Sequence, residues 1–502
     1  MPRNSFPNRY SMTVARMAVV LLLAAAAGGC AVGPDFHRPA PPDASRYTAS
    51  NLPAQTAAAD IADGQPQHFA EGQDVPARWW KLFGSPELDA LVEAALRANP
   101  DLQGMKAALR VAQENLAAQR GAFFPGVEAS YSPTRQKVAT DLASPLSSNS
   151  SLFTLHTAQL SVSYVPDVFG GTRRQVEASA AQADLARFQW YAAYLTLTSN
   201  VVNAAIQEAS LRAQIKATHE IIDLAGKQLD AVRKQQKAGQ VGAADVAAQE
   251  AAVAQAEATL PPLEKQLALQ RDQLSVLAGR LPGDGMAETF ELDSLKLPAE
   301  LPLSLPSKLV EQRPDIRAAE AQMHAASAQI GVATAARLPN ITLTADLGSA
   351  ALTLSKLFTS GTGLWGLTAD ITQPIFKGGT LLHQQRAAEA AYEQAAAQYR
   401  STVLTAFQNV ADALHAIDAD ARGLRAAAGA ERAADRSLTI AKRQYSVGQI
   451  AFPAVMQAEQ AYRQALVTLA QARASRYADT VALMQALGGD WRNGAGEAAG
   501  AS

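Results

Sequence analysis

Two long stretches of the chain, residues 167–260 and 375–452, contain no proline. A helix filling 174–237 alone would be about 95 Å long at ~1.5 Å per residue. That exceeds any compact domain, so such a helix needs a partner along its whole course. The apolar residues supply a seam for one. Leu211, Ile215, Thr218, Ile222, Ala225, Leu229 and Val232 alternate steps of four and three, and Val403, Phe407, Val410, Leu414, Ile417, Ala421 and Leu424 do the same. A 3.5-residue period winds helices around one another. A returning helix shows Leu260, Leu263, Leu267, Leu274 and Leu277, with Gln270 at the empty step. Turns at Gly239–Gly242 and Gly448–Pro453 reverse the chain, which predicts two long antiparallel helical hairpins. Alanine supplies much of the 48% hydrophobic share and aromatics only 6%, a composition suited to close helix packing rather than a large globular core.

The chain also repeats itself. Asn99-Pro100-Asp101-Leu102 returns as Arg313-Pro314-Asp315-Ile316, and Ala122-Phe123-Phe124-Pro125 as Ala336-Arg337-Leu338-Pro339. Phe169-Gly170-Gly171-Thr172 matches Phe376-Lys377-Gly378-Gly379-Thr380 with one residue inserted. Gly239-Gln240-Val241 matches Gly448-Gln449-Ile450, Glu250 matches Glu459, and Gly279 matches Gly488. The order is the same throughout, which predicts two structural repeats over 86–285 and 300–490. Each comprises a helix, two strands, a very long helix and a returning helix. The first helices, 86–123 and 306–337, are expected to restart at Pro100 and Pro314, since proline fits a first helical turn.

Past Pro125 the period changes to two. Val127, Ala129 and Tyr131 alternate with Glu128, Ser130 and Ser132; Ala158, Leu160, Val162 and Tyr164 alternate with Gln159, Ser161 and Ser163. Ile341, Leu343, Ala345 and Leu347, then Trp365, Leu367, Ala369 and Ile371, alternate with polar residues in the same way. These are strands with one apolar and one polar face, joined by hairpin loops at 137–156 and 349–362. Each could cover about 9–11 residues, enough for a tilted strand to cross a bilayer. A small soluble sheet packed on helices would alternate equally well. The hairpins favour the membrane reading. Four strands cannot close a transmembrane barrel, whose single-chain minimum is about eight. Two chains would give about eight strands with a filled interior, and three about twelve with a lumen.

The amino terminus is an address. Arg3, Arg9 and Arg16 precede an apolar run from Met17 to Ala27, then Gly28-Gly29-Cys30. Residues 1–29 therefore read as a secretory signal, too short for a stable anchor. Cys30 is the one cysteine of the chain, so intrachain disulfides are excluded. Its setting resembles a bacterial lipobox, with Ala27 where leucine is usual; an ordinary signal followed by an incidental thiol is the alternative. A covalent lipid (palmitate among its chains) at Cys30 would tether the protein, each buried methylene contributing about 0.8 kcal/mol. With Ala31 rather than an aspartate after the cysteine, the segment resembles lipoproteins sent to the outer membrane. Residues 30–85 lack periodicity and read as an extended segment over the body, with Trp79 and Trp80 as its anchor. A flexible tail is expected over 491–502. With a formal net charge of −2 the chain has no electrostatic footprint for nucleic acid. Its seven histidines show no metal spacing, and no nucleophile–base constellation suggests an enzyme. No cofactor beyond the lipid is expected.

Taken together, the Cys30 motif, Trp79-Trp80-Lys81-Leu82-Phe83, Leu281-Pro282 after Gly279, Gln312-Arg313-Pro314-Asp315-Ile316-Arg317, Tyr445-Ser446-Val447-Gly448 and Ala486-Leu487-Gly488-Gly489-Asp490-Trp491 resemble the TolC-like outer-membrane efflux proteins, in particular their lipoprotein branch. The resemblance covers residues 30–491. It implies a mainly α chain with a transmembrane β-barrel: a homotrimer of twelve strands continuing into a periplasmic α-helical tunnel. It further implies a passive conduit that docks onto a periplasmic adaptor and an inner-membrane transporter of the proton-driven resistance-nodulation-division (RND) type.

In that family the gate lies at the periplasmic helix tips, on the hairpin of the second repeat. Tyr445 fits the gate tyrosine, and Pro453 stands where a constricting apolar side chain is common. Gln457 and Ala454 occupy positions that are often acidic in the family, which leaves open whether this gate is ion-sensitive. Glu459 is close enough to contribute charge, or is a solvated helix residue. Gly239, Gly242 and Gly448 fit adaptor-docking tips, though helix capping alone would account for them. The competing functions are a periplasmic coiled-coil scaffold and the outer-membrane component of type I secretion.

Overall fold

The computed structural model describes residues 31–50, 52–139, 141, 146, 148, 150–489 and 491. The signal segment, Cys30, Asp490 and residues 492–502 lie outside the described residues. The elements run in the order β1 (His68–Glu71), α1 (Pro86–Ala98), α2 (Pro100–Arg120), β2 (Gly126–Lys137), β3 (Leu152–Tyr164), α3 (Gly171–Lys237), α4 (Ala243–Ala258), α5 (Leu260–Leu277), β4 (Glu300–Leu303), α6 (Pro306–Gln312), α7 (Pro314–Ala335), β5 (Asn340–Ala351), β6 (Gly363–Thr372), α8 (Thr380–Ser446) and α9 (Phe452–Ala486). The chain is mainly helical. Helices restart at Pro100 and Pro314, as the missing proline N–H requires. In front of α1 the Ser85 hydroxyl accepts from the Leu88 N–H at 3.2 Å, a side-chain cap.

The chain divides into two compact units. The first comprises Met1–Arg38, Arg110–Asp184 and Glu320–Gln398. Its centre is one antiparallel sheet of order β2-β3-β5-β6, two hairpins side by side. The register pairs Ala129 with Leu160, Leu160 with Leu347, and Leu347 with Trp365, so apolar residues line up on one face. Residues 31–38 are held in the same unit. Arg174, almost fully buried, donates to Val32 O at 3.1 Å and to Asp35 Oδ1 at 2.7 Å, while Phe36 stacks on His324 at 4.3 Å. Gly170 has φ of 77°, and a Cβ there would stand 2.5 Å from Ala31 Cα, so this turn needs glycine.

The second unit comprises Pro39–Leu109, Leu185–Ala319 and Tyr399–Ser502. It holds the helical hairpins and a two-stranded parallel sheet, β1 on β4. The first returning helix is not continuous: it breaks at Thr259, ahead of Pro261 and Pro262, into α4 and α5. The seam of α3 also differs in phase from the expected one. Leu211, Thr218, Ala225 and Val232 are buried as expected, but Gln214 and Ile221 take the intervening places, and Ile215 and Ile222 are half-buried. Gln214 is satisfied there, donating to Ser210 Oγ and accepting from Gln471 Nε2, each at 3.2 Å. Gln270, at the empty step of α5, donates to Ala204 O.

The segment ahead of α1 is more than a loose cover. Trp79, Trp80 and Phe83 are buried, with Trp79 edge-on to both Trp80 and Phe83. Arg476 of α9, 1% exposed, donates to Asp63 O at 2.7 Å, Gln65 O at 3.1 Å and Gln67 Oε1 at 3.0 Å. Two latches of one design close the helical framework. Asn99 Nδ2 donates to Leu277 O, at the end of α5, and Arg313 Nη1 donates to Ala486 O, at the end of α9. Arg313 is oriented by two bonds to Asp315, at 3.0 and 2.7 Å. Gly279 and Gly488 permit the close approach: a Cβ on Gly279 would lie 2.5 Å from Ala98 O.

Candidate functional site

In the first unit the candidate site is the sheet itself. A strand points successive side chains to opposite faces, so odd positions of β2, β5 and β6 and even positions of β3 share one face. That face carries Val127, Leu160, Val162, Leu343, Leu347, Trp365, Leu367 and Ile371. Trp365 is 80% exposed, Leu367 77% and Leu347 64%. The opposite face is polar, and hydrogen bonds tie it across strands. The Asp346 carboxylate accepts from Gln159 Nε2 at 2.7 Å and from Ser161 Oγ at 2.6 Å. The edge strands β2 and β6 each have one unpaired side. An uncovered greasy face with open edges is unsustainable in water. Lipid against the apolar face and further strands at the edges would resolve both, with water left on the polar face.

In the second unit the candidates gather at the helix tips. Tyr445, near the end of α8, packs on Phe452 at 5.5 Å and joins a cluster with Val232, Val246 and Met456. It also borders Leu438, Ala441 and Val455, so one ring bridges both hairpins. Its hydroxyl donates to Gln235 Oε1 on α3 at 2.9 Å. Burial first, and the nearby Asp245 carboxylate second, push the phenol above its ordinary pKa, which keeps it a donor. Gly239 and Gly448 have φ of 72° and 75°, the left-handed region that ends a helix on glycine. Gly242 opens α4, its N–H donating to Asp245 Oδ2 at 3.0 Å. All three glycines are exposed.

Pro453 and Gln457 are exposed on the first turns of α9. Glu459 is not a solvated helix residue: it is 1% exposed in the single chain and accepts from Arg463 four residues on. It lies at a groove of about 660 Å3 that Gln457, Arg463, Gln214, Thr218 and Ala252 also line. The structure therefore gathers Gln457 and Glu459 at one groove, and Tyr445 with the turn glycines at the tip.

One charged feature was not legible in the sequence. Asp479 of α9 has a buried Oδ2 with no hydrogen-bond partner, and burial together with Asp420 of α8 pushes its carboxyl up to about 7. Two carboxylates in reach of each other repel unless one keeps its proton. Neither residue falls in a motif, and only the fold brings them together.

A sheet with one greasy and one polar face, on a chain of long helical hairpins, fits a channel protein of the outer-membrane type. The family model described as outer membrane efflux protein matches residues 91–280 and 305–489. The antibiotic efflux pump outer membrane protein ArpC of Pseudomonas putida is 30% identical over 473 residues, covering 94% of this chain and 95% of ArpC. The pyoverdine export outer membrane protein OpmQ of Pseudomonas aeruginosa is 31% identical over 449 residues, covering 88% and 94%. The solved outer-membrane channel OprN superposes with a TM-score of 0.83 at 26% identity, covering 92% of this chain and all of that one. The chain belongs to the outer membrane efflux protein family. It is an outer-membrane channel of tripartite efflux, in a family whose members are not enzymes.

Proposed function

We propose that three copies of this chain join their sheets, β6 of one beside β2 of the next, into a twelve-stranded barrel, each copy built from two structural repeats. The helical hairpins line a periplasmic tunnel that receives cargo from an inner-membrane transporter of the RND type through a periplasmic adaptor. Cys30 carries the lipid that tethers the amino terminus. Tyr445, Pro453, Gln457 and Glu459 form the periplasmic gate, and the turns at Gly239, Gly242 and Gly448 present the docking tips. The reading is carried by the apolar sheet face, which no described residue of the same chain covers at Trp365 and Leu367.

The test is a crosslink between edges. Ser130→Cys on β2, combined in turn with Gly366→Cys, Thr368→Cys or Asp370→Cys on β6, should yield a closed covalent trimer under oxidation for at least one pair. Monomer alone from every pair would overturn the barrel. Relatives named for antibiotics and for pyoverdine leave the cargo to the pump.

A further inference from the structure

The two faces of the sheet differ in charge as completely as in polarity. Within the four strands the polar face holds Glu128, Asp346 and Asp370 and no lysine or arginine. The apolar face holds no acid, and its only full cations are Arg135 and Lys137. Both stand in the last three residues of β2, opposite Thr154 and Leu152, and both are exposed.

Position along the strand gives these cations their meaning. The rung of Ala129, Leu160, Leu347 and Trp365 marks the apolar band. One rung onward Tyr131 meets His156, its hydroxyl 2.8 Å from Nδ1, an amphipathic pair of the kind that sits at a membrane interface. Arg135 follows about 20 Å beyond the Ala129 rung at ~3.4 Å per residue, and Lys137 further still. At the ~40° tilt of barrel strands the Arg135 offset is about 15 Å along the membrane normal, more than half of the ~25 Å apolar band. The rest of the band lies on the other side of the rung, towards Ile341 and Ile371, so the cations stand at the headgroup layer. The two side chains are exposed neighbours on one face, and their mutual repulsion favours a bound anion.

We propose that Arg135 and Lys137 form a shelf that binds the phosphates of anionic lipid at the loop end of the barrel. The occupant is a lipid rather than a free anion, because the cations continue a face that is apolar from Ile341 and Ile371 up to the Ala129, Leu160, Leu347 and Trp365 rung, and stand one rung beyond an interfacial Tyr–His pair. The proposal rests on the barrel reading, which places this face against the bilayer.

Purified protein in detergent is titrated with lipid A carrying two phosphates and with its dephosphorylated form, bound lipid being counted by native mass spectrometry. Wild-type protein should prefer the phosphorylated lipid. Arg135→Gln and Lys137→Gln should each weaken that binding about fivefold, leaving binding of the dephosphorylated form unchanged. Equal wild-type binding of both lipids overturns the shelf without recourse to any variant, and so does a preference that survives the double substitution. Competition by inorganic phosphate at matched concentration would make this a free-anion site and overturn the lipid assignment. Conductance of the same samples separates the claims: a conducting trimer indifferent to phosphate defeats the shelf alone, whereas a non-conducting monomer defeats the barrel with it.

Discussion

Leu347 on β5 and Trp365 on β6 face each other across the antiparallel ladder, and both stand open on the same side of the sheet. A pair this apolar normally anchors a core. In the proposed barrel, that exposure places the pair against lipid.

Leu347→Lys should therefore cost about 2–4 kcal/mol of assembly, since a charge on the lipid face is desolvated. Thr344→Lys, on the opposite face, should leave assembly intact. The fraction of heat-labile oligomer on unheated gels compares them, and equal losses would remove the distinction between the faces.

Arg476→Ala should destabilise the second unit by about 3 kcal/mol, because Asp63 O, Gln65 O and Gln67 Oε1 lose a buried donor together. Limited proteolysis should then cut within 56–67, where the wild type resists. A lysine at 476 should not rescue, as it lacks the planar fork that reaches several acceptors.

Asp479 gives a pH dependence with a definite sign. Its carboxyl is raised from 3.8 to about 7 in the folded chain. The stability linked to that proton is full below the unfolded value and is lost as pH rises through the folded one. Melting measured at pH 5 and at pH 8 should show a drop that Asp479→Asn reduces; an identical drop in the variant would place the effect elsewhere.

Tyr445→Phe removes the bond to Gln235 while keeping the ring on Phe452. Loss of about 1 kcal/mol at the tip should raise the open probability of single channels, if the gate is where Tyr445 stands. Openings of unchanged frequency would leave this tyrosine a packing residue.

Long-range order was legible where the sequence is periodic. Proline-free runs gave α3 and α8, and alternation gave all four strands of the large sheet. Polar burial was not legible. Gln214 occupies the seam position expected for Ile215, and Arg476 is buried through partners some four hundred positions away. Both outcomes depend on which other helix or segment lies alongside, and that depends on the whole fold. The motif around Arg313 was recognisable as a landmark, but its task of latching the end of α9 emerges only from the bond to Ala486. At the tip, Tyr445 could be singled out from sequence, whereas the burial of Glu459 could not.

Planar-bilayer recording on the detergent-extracted oligomer tests the central claim most directly. A species running near three times 52.8 kDa less the signal on an unheated gel, collapsing on boiling, should insert and pass ions in steps of uniform size. A monomer, or an oligomer that passes no current, would contradict the account.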